Sequence, residues 1–379
     1  MKIAVNALPF TSWQGIETFL YNLLKAWPET TDEVVVFANQ KSASFLQPLP
    51  GHISLRIIDF KKINRVRLFI YQQTAFPRLL KKEGFDCLFC PSLFSPWFYR
   101  RQITTIHDAA PFVVPGETGL IGKIFWTICL FFIKRIARKI ITVSEFSRRE
   151  LIEKLKISPE KIAVVYNGAP EGKLVSNEPI VKEPISKEPA LNKSAADWAS
   201  ENYIVAVGNA RARKNLAALF SAFILLHQTH PDLKLIVTGK KDARMLELEG
   251  AWQKKTGNIV FTGFVPETEK ENIIKNSAAL VFPSFYEGFG LPILEANVLN
   301  APVVCSDIPA FREVAGDSAL FFDPKNEKDM ADQISRVLES KISADDLRAK
   351  GKINAARFNW KKSAEQLAKI IHQTIRSKN

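Results

Sequence analysis

Long apolar runs are missing from this chain. Across its 379 residues, none reaches the roughly 20 consecutive apolar residues that a membrane-spanning helix requires. The opening residues Met1-Lys2-Ile3-Ala4-Val5 begin a strand and lack the h-region and cleavage site of a secretory leader, so none is expected. Cysteine is scarce, with only Cys87, Cys90, Cys129 and Cys305. Cys87 and Cys90 form a C-x-x-C inside an apolar run, 85–90, and no second pair completes a zinc site. Buried thiols in a reducing cytosol are the expectation. Histidine is nearly as thin. His227-x-x-His230 has no third ligand, and His52 and His372 have no partner at ligand spacing. No Asp-x-Asp stands in a suitable loop, so neither a bound metal nor a cofactor is expected.

The length allows two domains with separate cores. A hydrophobic content of 46% with 24% charged residues places the chain among ordinary soluble globular proteins. The formal charge of +13 is unevenly spread: residues 1–170 hold 23 Lys and Arg against 13 Asp and Glu, the remainder 29 against 26. The first half is therefore suited to an anionic partner, such as a membrane surface, a phosphorylated lipid or nucleic acid, or else presents a solvated basic face. Nucleic acid is disfavoured because its motifs and aromatic platforms are missing.

The stretch Ser284-Phe285-Tyr286-Glu287-Gly288-Phe289-Gly290-Leu291-Pro292-Ile293-Leu294-Glu295 is the most informative. The apolar run 278–283 before it reads as a buried parallel strand. Residues 291–300 read as a helix with Pro292 in its first turn, where a missing N–H costs least. Gly288 and Gly290 let the backbone turn sharply and approach a ligand, and the helix N-terminus suits a phosphate. Glu287 would point into the mouth of such a site and Glu295 reach it from one turn further on. A carboxylate beside a phosphate reads better as a bidentate acceptor of sugar hydroxyls than as a charge. A tight turn between two solvated glutamates is the plainer reading.

Glu287 and Glu295, seven residues apart around Gly-Phe-Gly-Leu-Pro, resemble the paired-glutamate signature of retaining glycosyltransferase family four. Further segments across nearly the whole chain are similar to that family. The resemblance implies an α/β chain of the GT-B type, with two doubly wound, Rossmann-like domains facing across a cleft. It also implies transfer of a hexose from a nucleotide-diphosphate sugar, with retention and without a metal. It leans towards mannose or a related hexose, with GDP-mannose or a UDP-hexose as donor. The implied acceptor is a glycan or a lipid-linked saccharide of cell-envelope polysaccharide synthesis.

Taken in order, residues 2–7 form a strand, followed by a loop and a helix at 16–27, the opening of a doubly wound domain. Gln14-Gly15-Ile16-Glu17-Thr18-Phe19 is similar to the family's first glycine loop, with Glu17 where a second glycine is usual; the resemblance puts Gly15 near the donor. The run 103–106 ends on His107-Asp108, at a strand end where polar side chains face the ligand crevice. Resemblance places His107 beside the donor sugar; a structural histidine in a capped turn is the alternative. The segment 61–67, with Lys61, Lys62, Arg65 and Arg67, and the amphipathic helix 120–138, ending in Lys134, Arg135, Arg138 and Lys139, both suit an anionic lipid surface. The helix itself reads rather as core. The expected location is the cytoplasm, with peripheral attachment to the inner face of the plasma membrane.

Residues 171–200, with Glu-Pro pairs spaced by five, read as a linker. They divide an acceptor domain at 1–170 from a nucleotide-sugar domain at 201–358, and a final helix, 359–379, is expected to return to the first domain. After the strand 203–207, Gly208 opens a turn carrying Arg211, Arg213 and Lys214, in form a diphosphate clamp. Resemblance makes Lys214, with Arg213, the phosphate ligand. It sets the base against Phe264 and Val265, the sugar hydroxyls on Glu287 and the ribose on Glu295. The backbone of Gly288, Phe289, Gly290 and Leu291 lines the donor. His107, Glu287 and Lys214 are the expected catalytic groups, and alanine at Glu287 or Lys214 is expected to abolish transfer without unfolding. A nucleotide-sugar epimerase of the same fold and a non-catalytic assembly subunit remain as alternative readings.

Overall fold

Strands that are apolar along their whole length are suited to sheets covered on both faces, which in practice means parallel sheets. The computed structural model of the chain describes residues 1–11, 15–60, 64–170 and 200–376. It resolves into two compact units, Met1–Gly168 with Phe358–Asn379, and Ala169–Arg357. Of the expected linker, residues 171–199 lie outside the described residues. So do Gln14, Lys61 and Lys62.

The first unit is built on β1 (Lys2–Ala7), β2 (Glu33–Ala38), β3 (Ile53–Ile57), β4 (Cys87–Cys90), β5 (Gln102–Thr105), β6 (Lys139–Thr142) and β7 (Ile162–Val164). They form one parallel sheet in the order β3-β2-β1-β4-β5-β6-β7. The helix Gly15–Lys25 follows β1, and its buried Phe19, Leu20, Leu23 and Leu24 recur at helical spacing. Ser144 caps the helix Glu145–Glu153 by accepting from Ser147 N. The last helix, Trp360–Arg376, belongs to this unit. Its Ser363 and Gln366 donate to the Tyr166 and Val164 carbonyls at 2.7 and 2.8 Å. They thereby blunt the free edge of β7. Its His372 meets Asp32 at 2.6 Å.

The second unit repeats the plan with β8 (Tyr203–Val207), β9 (Lys234–Thr238), β10 (Ile259–Gly263), β11 (Ala279–Phe282), β12 (Val303–Ser306) and β13 (Ala319–Phe322). The order is β10-β9-β8-β11-β12-β13, parallel throughout. Its core joins Ile204, Ala206, Leu235, Val237, Ala279 and Val281 to Leu219, Phe220 and Phe223 of the helix Leu216–His227. In both sheets the chain reverses its direction of progress at one place, beside the first strand. There the two adjacent strand ends lead loops away to opposite sides and leave a crevice between them. In the second unit that place is β8 against β11, with Leu280 opposite Val205.

The strands and helices read from the sequence are all present, with ends that match or are displaced by up to three residues. The helix read at 291–300 spans Leu291–Val298, and that read at 120–138 spans Leu120–Ile136. One glycine lets the turns after β8 and β9 approach closely. Gly239, ending β9, has φ +155°, and a Cβ there would lie 1.8 Å from the Gly208 carbonyl oxygen. We expect Gly239→Ala to lower the stability of the second unit by on the order of 3 kcal/mol, because a backbone atom cannot swing aside. Urea titration followed by far-ultraviolet circular dichroism measures the loss.

Candidate active site at the β8 and β11 strand ends

Two loops meet where β8 and β11 end. The first holds Arg211, Arg213 and Lys214, with Ala212–Lys214 in one 3-10 turn. Asn215 then takes a left-handed conformation, φ 54°, and its side-chain amide donates to the Pro324 carbonyl at 2.8 Å. A short polar side chain tolerates that backbone and anchors it. The second loop is residues 283–290. The loops are stitched together by backbone, Phe285 N donating to the Arg213 carbonyl at 2.7 Å, and by the Arg213 guanidinium donating to the Tyr286 carbonyl at 3.0 Å.

Between them lies Glu287, only 8% exposed. Lys214 Nζ is 2.6 Å from its Oε1 and Arg213 Nη1 2.9 Å from its Oε2. Ser284 Oγ donates to Oε1 at 2.9 Å. Lys214 also lies over the Phe282 ring, 4.9 Å from its centroid. Burial would raise the Glu287 carboxyl, but Lys214 and Arg213 overcome it and hold the group below the ordinary carboxylate range. Burial acts in the opposite sense on Lys214 and pushes it below the usual lysine range, against the pull of Glu287. Two cations against one carboxylate leave the mouth positive. Gly290, φ 116°, precedes the helix Leu291–Val298, whose N-terminus no side chain caps. A Cβ on Gly290 would press on Phe311 at 3.0 Å, so only glycine fits.

The geometry adds a role to the one expected of Glu287. Glu287 is a charge partner before it is a hydroxyl acceptor. Three donors already occupy a carboxylate that has about four acceptor positions, so it is not a free bidentate acceptor. Alanine at Glu287 would also leave two buried cations without their counter-charge.

The remaining expected residues lie on several elements. Glu295 pairs with Lys270 of the helix Glu267–Asn276 at 3.1 Å, and Lys270 also reaches Glu267 at 2.6 Å. The two carboxylates push Lys270 upward despite its burial. Phe264, half exposed, and buried Val265 follow β10. Gly288, Phe289 and Leu291 lie on the Glu287 loop or begin the helix after it, with the Phe289 ring buried. Gly15 and His107 belong to the first unit. Gly15 begins its helix, and a Cβ there would meet nothing within 4 Å. His107 Nε2 meets the Pro91 carbonyl at 2.9 Å and its ring lies edge-on to Phe19 at 4.9 Å. Burial lowers its pKa from 6.5 to about 4. At neutral pH the imidazole is uncharged, its Nε2–H goes to Pro91, and Nδ1 is left as an acceptor. Among the described residues, no three His, Cys, Asp or Glu side chains gather as metal ligands.

Sequence reasoning passed over two participants. Ser284 stands three residues before Glu287, the spacing of a capping box, and that signal was available. Lys270 lies in a charge-rich helix that reads as solvated, and nothing local ties it to Glu295.

Residues 13–171 match the family described as Glycosyltransferase Family 4, and residues 191–357 match Glycosyl transferases group 1. The chain is 31% identical over 283 residues to O-antigen chain mannosyltransferase B of Escherichia coli, covering 73% of this chain and 71% of the relative. It is 26% identical over 336 residues to O-antigen chain mannosyltransferase RfbU of Salmonella typhimurium, covering 86% and 88%. In fold it is similar to Anabaena Alr3699/HepE, crystallised with UDP and glucose, at a TM-score of 0.73 and 16% identity over 98% of this chain and 99% of that one.

Glu287→Ala is expected to cost about 3–5 kcal/mol by leaving Lys214 and Arg213 buried and unpaired, and Glu287→Gln less. Because the folded carboxyl is held below 4.5, the wild type loses this contribution as pH falls through and below that value. Both variants should lack that acid limb in urea titrations repeated across pH. His107 gives a second limb of the same sign at higher pH. Its folded pKa lies below 6.5, so between 6.5 and about 4 the unfolded chain takes a proton that the folded one refuses. Stability should fall over that range in the wild type and fall less in His107→Gln, as read from urea midpoints.

Proposed function

The chain belongs to the family 4 glycosyltransferases of GT-B fold, and from that membership we propose that it moves mannose, with retention and without a metal, from a nucleotide-diphosphate sugar to a growing saccharide. At the coarser level it is a glycosyltransferase of polysaccharide synthesis. The observation that carries the finer reading is the buried Glu287 held between Arg213 and Lys214 at the strand-end crevice. The sugar assignment is supported by the likeness to two O-antigen mannosyltransferases.

In this reading the donor diphosphate lies against Lys214 and Arg213, with the N-terminus of the helix Leu291–Val298 behind it. Lys214 has further N–H donors beyond the one given to Glu287. The excess positive charge stabilises the leaving diphosphate as its bond to the sugar breaks. Glu287 serves twice: it fixes both cations in place, and its remaining acceptor position takes one sugar hydroxyl. Glu295, steadied by Lys270, accepts from the ribose. Phe264 and Val265 border the base. Displacement occurs on the face the leaving group departs from, and the leaving phosphate takes the proton of the acceptor hydroxyl. The acceptor is a glycan or a lipid-linked saccharide, GDP-mannose the first donor to try and a UDP-hexose the next.

The test is a thermal-shift panel of GDP-mannose, UDP-glucose and UDP-galactose. It is followed by transfer assays with and without EDTA on a mannose-terminated lipid-linked saccharide, with NMR of the new anomeric centre. Stabilisation by GDP-mannose and an EDTA-insensitive α-linked product are expected. Lys214→Ala should lower kcat/KM at least about 100-fold, the loss typical when a group stabilising transition-state charge is removed. Conversion of donor alone to an isomer, an inverted product, or near-wild-type rates in Lys214→Ala would each overturn the proposal.

A further inference from the structure

The helix Leu120–Ile136 of the first unit is apolar on two opposite faces. One face buries Cys129, Leu130 and Ile133 among Ile106, Ala109, Ile140 and Leu151. The other carries Ile121, Ile124, Ile128 and Phe131, spaced by three, four and three, the rhythm of a single helix stripe. These four and Leu120 are between 41% and 84% exposed. The stripe does not stop at the helix. Phe132 stacks on Trp97 at 4.6 Å and meets Phe98 edge-on at 5.5 Å, and Phe98 is itself 66% exposed. A continuous apolar surface of this kind, open to water, is unusual on a chain that works as a monomer.

The charges carried by its segment are of one sign. From Thr118 to Ser144 the chain has Lys123, Lys134, Arg135, Arg138 and Lys139 and no Asp or Glu. The Arg135 guanidinium lies 3.6 Å from the centre of the Phe131 ring and donates to the Phe131 carbonyl at 3.0 Å. A cation is thus held on the apolar stripe itself. Among the described residues no helix is long and apolar enough to cross a membrane. At 17 residues this one is about 25 Å long.

We propose that this face, Leu120, Ile121, Ile124, Ile128 and Phe131 with Phe98, is a docking surface for an anionic lipid bilayer. The helix lies flat in the headgroup region, with its apolar stripe at the acyl boundary and its cations among lipid phosphates. A helix of this kind combines apolar burial with attraction to negative lipid, and both parts are present here. A second copy of the chain fits poorly. A twofold contact through the stripe would bring the cations of two such segments onto one interface, with no acidic residue of the segment to offset them. The inference holds whichever sugar is moved, and its readout is lipid binding rather than transfer.

The experiment is sedimentation of the full chain with vesicles of phosphatidylcholine alone and of phosphatidylcholine with phosphatidylglycerol, at low and at physiological salt. The wild type should bind the phosphatidylglycerol vesicles and weaken as salt rises. Ile121→Glu with Ile124→Glu should weaken that binding about tenfold or more, since both side chains already face water and the fold should not depend on them. An unchanged melting temperature checks this. Lys123→Gln with Arg135→Gln, which leaves the apolar stripe whole, should reduce the preference for phosphatidylglycerol and flatten the salt dependence, and it serves if the glutamate pair does not fold. Wild-type protein that stays in the supernatant with every vesicle would overturn the proposal, as would binding that neither pair of substitutions changes. So would a dimer seen by light scattering that the glutamate pair converts to monomer.

Discussion

One buried carboxylate organises the second unit's loops. Removing Glu287 from water costs several kcal/mol, and so does removing Lys214 and Arg213; only their mutual attraction and the added Ser284 and Tyr286 hydrogen bonds offset that cost. The arrangement holds because the sheet brings the ends of β8 and β11 side by side. Once they are neighbours, the turn that carries cations and the turn that carries the carboxylate have to face each other. The backbone bond from Phe285 to Arg213 then removes the slack that a long side-chain pair would otherwise have. A positive, rigid mouth follows before any ligand arrives, which is the preorganisation that charge stabilisation requires.

The two units share a strand plan and differ in what they place at its strand ends. The second unit has an ion-pair cluster of fixed charge. The first has His107, kept neutral by burial and held by the Pro91 carbonyl and the Phe19 ring. Charge in that unit is displaced outward, onto the segment around the Leu120–Ile136 helix. The two bodies of the chain thus carry their cations in different settings, one buried against a carboxylate and the other on an exposed segment.

Much of the fold was legible because buried parallel strands are apolar without interruption and because glycine and asparagine mark where they end. Arg213, Lys214 and Glu287 could each be picked out from local pattern. Their pairing could not, since more than 70 residues separate the carboxylate from the cations and only the sheet order joins them. The same holds for Lys270 and Glu295. The Leu120–Ile136 helix failed in another way. It is apolar nearly all round, so periodicity could not tell which side faces inward, and its reading as core was right for one face only. The linker reading falls on residues 171–199, which lie outside those described.

The return of Trp360–Arg376 to the first unit has a consequence for how the molecule comes into being. The second unit is one unbroken length of chain, whereas the first is completed only by residues made after it. As the polypeptide leaves the ribosome, the later body has all its strands while the earlier one still has a bare β7 edge and an Asp32 without His372. The nascent first unit therefore waits, open along one margin, for the final helix to close it.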